Sequence, residues 1–255
     1  MGSALLSGWL RDGIDSAAVR VIDPAPPEAT VALMKSAGIA ADPTLPTKLR
    51  AGVLVLAVKP QTISGLLPSL RSLVGKRTTV LSIAAGTTLA TLCEGLGTDS
   101  VVRAMPNMPA QIGRGISVIV AGPGVGQPAR DLAMALLGSA GAVEWIEEEG
   151  LMDAVTAVSG SGPAYVFLLA ECLAEAGVEA GLSPELSRKL ADSTIAGAGA
   201  LLAESGEKPD VLRKAVTSPG GTTEAALAVL MADGGLGSLM RKAVAEAKRR
   251  AVELR

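Results

Sequence analysis

The chain has 255 residues, enough for two ordinary domains with a well-buried core, and its 23 basic and 25 acidic residues give a formal charge of −2 without long runs, which argues against nucleic acid as a partner. Histidine is absent, which excludes Ser-His-Asp and Cys-His machinery and leaves hydroxyls, lysine, carboxylates, water or a cofactor to do any chemistry. Hydrophobic residues make up 49%, but the longest uncharged stretch, Ala154 to Ala170, is broken by Ser159-Gly160-Ser161-Gly162-Pro163, so the excess apolarity is assigned to surface buried between subunits and not to a membrane.

Met1-Gly2-Ser3-Ala4-Leu5-Leu6 reads as a helix N-terminus, and a strand at Val19–Ile22 ends in Asp23, where a dinucleotide-binding fold carries a carboxylate that grips a ribose. Counting back from Asp23, Gly2 takes the place of the third glycine of a G-x-G-x-x-G fingerprint, while the strand and two glycines that should precede it are missing. The natural reading frame is therefore expected to begin upstream, at a start adding about ten residues that end in G-x-G-x. The chain as given is expected to dimerise but to bind dinucleotide weakly.

Further strands are predicted at Val53–Val58, Thr79–Ile83, Val101–Ala104, Ile116–Val120 and Val143–Ile146. Val53 to Val58 is apolar on both faces, as in a parallel sheet covered on both sides by helices, and the alternation of strand and helix through residue 149 predicts a doubly wound α/β domain. In such a sheet ligands bind beyond the carboxyl ends of the strands, where this chain carries Ala57-Val58-Lys59-Pro60, Ser82-Ile83-Ala84-Ala85-Gly86 and Met105-Pro106-Asn107-Met108-Pro109. Lys59 is either a proton donor or a solvated or phosphate-bound lysine. Asn107, fixed between prolines, either donates to a nicotinamide amide or a substrate, or forms a turn. Cys93 and Cys172 have neither metal-ligand spacing nor a disulfide framework; they fit a reducing cytoplasm, and no metal is expected.

Glu147 to Glu149, followed by Gly150, marks a boundary between residues 1–149 and a helical domain at 150–255. Helical periodicity covers Leu151–Ala176, Pro184–Ala203, Pro209–Val216, Thr222–Ala232 and Leu236–Leu254. Val158-Ser159-Gly160-Ser161-Gly162-Pro163-Ala164-Tyr165 interrupts the first of these, either to free polar groups for a ligand or to let helices cross closely. Arg241-Lys242 and Lys248-Arg249-Arg250 read as a solvated face of the last helix. Val216-Thr217-Ser218-Pro219-Gly220-Gly221-Thr222-Thr223 runs straight into a helix: two glycines behind a proline leave N–H groups pointing one way, and Ser218, Thr222 and Thr223 add hydroxyls. Such a loop suits a carboxylate or phosphate, the ordinary alternative being a cap with Thr222 at its N-cap.

Met105-Pro106-Asn107-x-Pro109, Val158 through Tyr165 and Val216 through Thr223, in this order, resemble the signatures of the pyrroline-5-carboxylate reductases. The resemblance implies an N-terminal Rossmann domain and a helical C-terminal domain that dimerises by intertwined helices, the dimers often assembling into a homodecamer. It implies reduction of a small cyclic imine, 1-pyrroline-5-carboxylate, to L-proline. It assigns Ala57, Val58, Lys59, Pro60, Ala84, Ala85 and Gly86 to the dinucleotide, and Ser218, Gly221, Thr222 and Thr223 to the substrate carboxylate. Gly2, Asp23 and Asn107 complete the candidate cofactor set, and Thr223 is the candidate catalytic hydroxyl nearest the ring nitrogen, with water behind it. Some members carry an asparagine just before the loop that reaches a neighbouring subunit's cofactor; this chain has Ala215 there. NADPH is the family's usual cofactor, yet Asp23 with no arginine in Pro24-Ala25-Pro26-Pro27 favours NADH at least comparably. Two other readings stay open: a two-domain hydroxy-acid dehydrogenase using Lys189 or Lys214, and a non-catalytic oligomeric binding protein.

Overall fold

A computed structural model describes residues 1–46 and 49–254. Helix α1 (Gly2–Arg11) buries Ala4, Leu5, Leu6 and Gly8 along one side. It is followed by a short turn of 3-10 helix at Ser16–Ala18 and by β1 (Val21–Ile22), α2 (Glu28–Ser36) and β2 (Ala41–Asp42). Val19, expected to open the strand, closes the 3-10 turn instead, its N–H donating to the Ser16 carbonyl. β1 and β2 pair in parallel, Val21 opposite Ala41.

A second sheet contains β3 (Val53–Leu56), β4 (Thr79–Ser82), β5 (Val101–Met105), β6 (Gly115–Ala121) and β7 (Gly141–Trp145) in that spatial order. No backbone ladder joins β1 to β3. Helices α3 (Pro60–Leu70), α4 (Leu89–Leu96) and α5 (Gln127–Gly138) connect strands that run parallel. Within the expected doubly wound α/β domain one pair departs from the parallel order: β5 and β6 are antiparallel, Val102 opposite Ala121. The link between them holds only a 3-10 turn at Met108–Ile112, which is too short for the crossover a parallel pair requires.

β4 is buried along its whole length, with Val80 in one apolar cluster and Leu81 in another. One cluster packs Leu54, Leu56, Ile63, Leu67, Leu92 and Val101, and the other Leu5, Leu81, Val102, Ile119 and Leu137, so helices cover both faces of the sheet. α1 is pinned to α5 by the Trp9 indole N–H donating to the Leu136 carbonyl (2.7 Å) and by Arg11 donating to Ser139 (2.5 Å).

Beyond β7 come a 3-10 turn at Glu149–Leu151, α6 (Met152–Val155) and a π-helical turn at Thr156–Gly160. Then follow α7 (Gly162–Glu179), α8 (Pro184–Ser205), α9 (Pro209–Ala215), α10 (Thr222–Leu230) and α11 (Leu236–Glu253). Met1–Gly160 with Lys248–Arg255 forms one compact unit and Ser161–Ala247 another. In the second unit α7 and α8 form a hairpin, closed by Gly181 at φ 101° and by Ser183, whose hydroxyl caps Leu186. Among the described residues one helical run, Glu149–Glu179, is by length and composition apolar enough to cross a membrane; the expected break at Ser159–Pro163 bends this run without ending it.

Candidate active site

β3 and β4 run side by side with Leu56 opposite Ser82, so their carboxyl ends deliver two adjacent turns. The first comprises exposed Ala57 and Lys59 with half-buried Val58 and Pro60. Lys59 is extended and caps α3, its carbonyl accepting from the Thr62 N–H (3.0 Å) and hydroxyl (2.8 Å). Pro60 is the first residue of that helix. The second turn runs through buried Ala84 and half-buried Ala85 to Gly86, whose φ of 73° favours glycine.

Gly2 opens α1 against the first turn: a β-carbon there would stand 3.0 Å from the Ala57 β-carbon. The Met1 carbonyl takes the N–H groups of Ala4 and Leu5, leaving those of Gly2 and Ser3 at the helix start without a backbone partner. A helix N-terminus this close to the turn after β3 offers donors of the kind a dinucleotide pyrophosphate uses. Asp23 follows β1 directly; its Oδ1 accepts from the Ala25 N–H (2.9 Å), which leaves the other oxygen for a ribose. Asn107 follows β5, and its Oδ1 accepts from the Ile116 N–H (3.0 Å). The turn-forming alternative therefore describes its carbonyl, and the side-chain amide nitrogen is what remains to donate.

Pro60, Gln61, Ala85, Gly86, Arg103, Asp153 and Thr156, with Ala251 of α11 and Leu254 just after it, line a cleft of about 220 Å³. Arg103 is only 4% exposed, and its Nη1 donates to Glu149 Oε1 at 2.6 Å. The same oxygen accepts from the Leu89 N–H at 2.7 Å. Sequence reasoning missed Arg103, Glu149, Asp153 and Thr156; a single charge inside the apolar strand Val101-Val102-Arg103-Ala104-Met105 was the available signal. The Ser/Gly segment forms the π-helical turn and carries two features that bear on its expected uses. Gly160 allows close approach, since an added β-carbon would stand 2.6 Å from Met105 Cε, and the Ser159 hydroxyl is buried without a partner.

In the second unit Thr217 lies just beyond α9, its hydroxyl donating to the Arg213 carbonyl (2.7 Å). Gly220 takes φ 71°, and its N–H donates to Glu224 Oε2 (2.7 Å). The Gly221 N–H donates to the Ser218 carbonyl (3.0 Å). Gly221, not Thr222, is the N-cap of α10, and it brings no side-chain cap. Thr222 is the first helical residue, because the extended backbone of Gly221 (φ −83°, ψ 171°) completes the turn one position earlier. No side chain therefore covers the first turn, and its open N–H groups lie in the same segment as the Ser218, Thr222 and Thr223 hydroxyls. Uncapped N–H groups at a helix start favour an anion. Lys214 pairs with Asp210 at 3.2 Å and Lys189 is exposed on α8.

Residues 149–254 match the family described as pyrroline-5-carboxylate reductase dimerisation, and residues 1–86 the one described as NADP oxidoreductase, coenzyme F420-dependent. The pyrroline-5-carboxylate reductase of Pseudomonas aeruginosa is 36% identical over 255 residues, 100% of this chain and 93% of that protein. The structure of a pyrroline-5-carboxylate reductase from Coxiella burnetii matches with a TM-score of 0.89 at 34% identity, covering 98% of this chain and 93% of that one. The Plasmodium falciparum pyrroline carboxylate reductase, solved with NADP bound, matches at 0.83 with 28% identity over 100% of this chain and 94% of its own. With a helical half that matches the dimerisation family and likeness of sequence and fold along its whole length, the chain belongs to the pyrroline-5-carboxylate reductase family.

Proposed function

We propose that this chain reduces 1-pyrroline-5-carboxylate to L-proline, the final step of proline biosynthesis, with a reduced nicotinamide dinucleotide. The observation that carries the reading is the open first turn of α10, whose uncapped N–H groups suit a carboxylate, in a chain that belongs to this family. Residues 1–149 hold the dinucleotide, and residues 150–255 dimerise and bind substrate. Gly2 and the turns at Ala57–Pro60 and Ala84–Gly86 take the dinucleotide, with Asp23 at the ribose and the Asn107 amide nitrogen at the nicotinamide end. NADPH is the cofactor, in line with the NADP of the Plasmodium enzyme, and Asp23 also admits NADH.

The dinucleotide supplies the hydride that adds to the imine carbon, and the ring nitrogen ends as the amine of proline. The protein has to align two bound molecules and provide at most one proton, which a chain without histidine can do. The hydroxyls of Ser218, Thr222 and Thr223 and the N–H groups of the turn orient the carboxylate. Gly221 lets it approach the backbone. Thr223 lies nearest the ring nitrogen and passes on a proton from water. The working protein is a homodimer that assembles further into a homodecamer in the cytoplasm.

A hydroxy-acid dehydrogenase would place a lysine in its catalytic site, whereas Lys214 is committed to Asp210 and Lys189 stands on an exposed helix face. The test is loss of nicotinamide absorbance with pyrroline-5-carboxylate, set against a panel of 2- and 3-hydroxy acids with oxidised cofactor. Turnover of the imine alone is expected. Turnover of a hydroxy acid without the imine would overturn the reading, and dinucleotide binding without any turnover would favour a binding protein.

A further inference from the structure

We propose that Glu149 is a positioning residue, whose carboxylate holds the turn after β4 in register with β5 at the mouth of the cleft. The proposal rests on the reading of Ala84–Gly86 as a dinucleotide contact. Arg103 lies in the middle of β5 between buried Val102 and Ala104, and its guanidinium cannot shed its charge, so it requires a counter-ion. Glu149 supplies one at 2.6 Å. The same Oε1 accepts from the N–H of Leu89, the first residue of α4, at 2.7 Å. The Thr88 hydroxyl already caps the Thr91 N–H, so Glu149 satisfies a further open donor of that helix, where a negative charge is also favoured.

Leu89 lies just beyond Gly86, and Gly86 and Arg103 both line the cleft. One oxygen atom thus joins the helix that follows the cofactor turn to the strand whose Arg103 lines the cleft. Glu147 and Glu148 are exposed, and Glu149 is the member of the acidic run that turns inward.

An ion pair that only neutralises charge can be replaced by two apolar side chains with the fold retained, whereas a tether cannot be so replaced without effect on its site. The experiment compares Glu149→Gln and the double variant Arg103→Met/Glu149→Leu with the native full chain. It measures KM for NADPH, kcat, dinucleotide fluorescence titration and thermal midpoint. The double variant is expected to keep a near-native midpoint while KM and the dissociation constant for NADPH rise about tenfold and kcat changes less. Glu149→Gln, which keeps an acceptor for Leu89, is expected to fall between. Native dinucleotide affinity in the folded double variant overturns the proposal, and if that variant does not fold, native affinity in Glu149→Gln does so. Ala85→Leu, which narrows the cleft, separates the two readings. If it leaves dinucleotide binding intact, the turn is no cofactor contact and the proposal falls with it; if it blocks binding while the Glu149 variants do not, the tether alone is wrong.

Discussion

A β-carbon at Gly221 would stand 3.0 Å from the Ser218 carbonyl oxygen, the acceptor that closes the loop before α10. Gly221→Val is therefore expected to deform the turn as well as crowd the ligand, and to lower kcat/KM more than Thr223→Ala. For Thr223→Ala the expected loss is about 10- to 100-fold, or roughly 1.4–3 kcal/mol for a hydrogen bond to a charged group. Steady-state kinetics on both variants check this, and native values in both would remove the loop from the site. Asp23 sets the second residue-scale test. One of its oxygens closes a turn on Ala25, and the other is free to accept from a ribose 2′-OH and to repel a 2′-phosphate. NADH is expected to serve at least comparably to NADPH, and Asp23→Ser to shift preference toward NADPH; a strong native NADPH preference unchanged by the substitution would place the carboxylate away from the ribose. At Cys93 burial raises the thiol pKa above its ordinary value, and the nearby Asp99 and Glu149 charges add to the rise. The sign follows: the neutral thiol contributes stability that is present below the unfolded pKa and lost as pH rises through the higher folded one. In a Cys172→Ser background, alkylation of Cys93 should reach half-maximal rate above the pH seen for a free cysteine, and Cys93→Ala should flatten the alkaline fall in thermal midpoint.

Elements made of their own residues were legible in the sequence, and contacts between distant residues were not. The apolar run Val53 to Val58 and the β-branched strands after it announce a sheet buried on both faces, and the sheet from β3 to β7 follows them closely. β2 escaped notice because two residues carry no periodicity. The reversal at β6 was hidden because strand patterns carry no direction; only the shortness of the Met105 to Gly115 link bears on it. Within the candidate site, Gly220 and Gly221 mark from sequence the turn that opens α10. By contrast Arg103 meets Glu149 46 residues away, a pairing that no local pattern encodes. The α7–α8 hairpin adds a contact of the same hidden kind. A β-carbon on Gly177 would run into the Ser187 hydroxyl, which is itself buried and donates to the Ala174 carbonyl at 2.6 Å. Gly177→Ala is expected to destabilise by about 1–3 kcal/mol as an overpacked crossing. Removing the obstructing oxygen with Ser187→Ala should return part of that loss, so a double-mutant cycle by denaturant unfolding should give a favourable coupling; strict additivity would mean that the two helices do not cross there.

Taken as one chain, the helical unit leaves its apolar surface uncovered: Phe167 is 53% and Leu168 57% exposed on α7, with Val166, Leu169 and Leu173 beside them and Leu190, Leu201 and Leu202 on α8. Patches of this extent on a single chain mark an interface or a membrane contact. The run Glu149–Glu179 would satisfy the length and composition of a membrane span, yet the same residues fall within the family of dimerisation domains, so a second subunit is expected to cover them. Stability is then inseparable from protein concentration, and the native midpoint should rise as concentration rises. A carboxylate placed in such an interface has no partner and costs several kcal/mol. Leu168→Glu and Phe167→Glu are therefore expected to elute as monomers at micromolar concentration by light scattering, with a midpoint that is lower and independent of concentration. Activity should fall with the assembly, because an isolated chain exposes apolar surface on the unit that carries the Ser218–Thr223 turn. If both variants keep the native mass and the native concentration dependence, α7 is not the dimer face, and the apolar side chains it presents must be covered by some other contact.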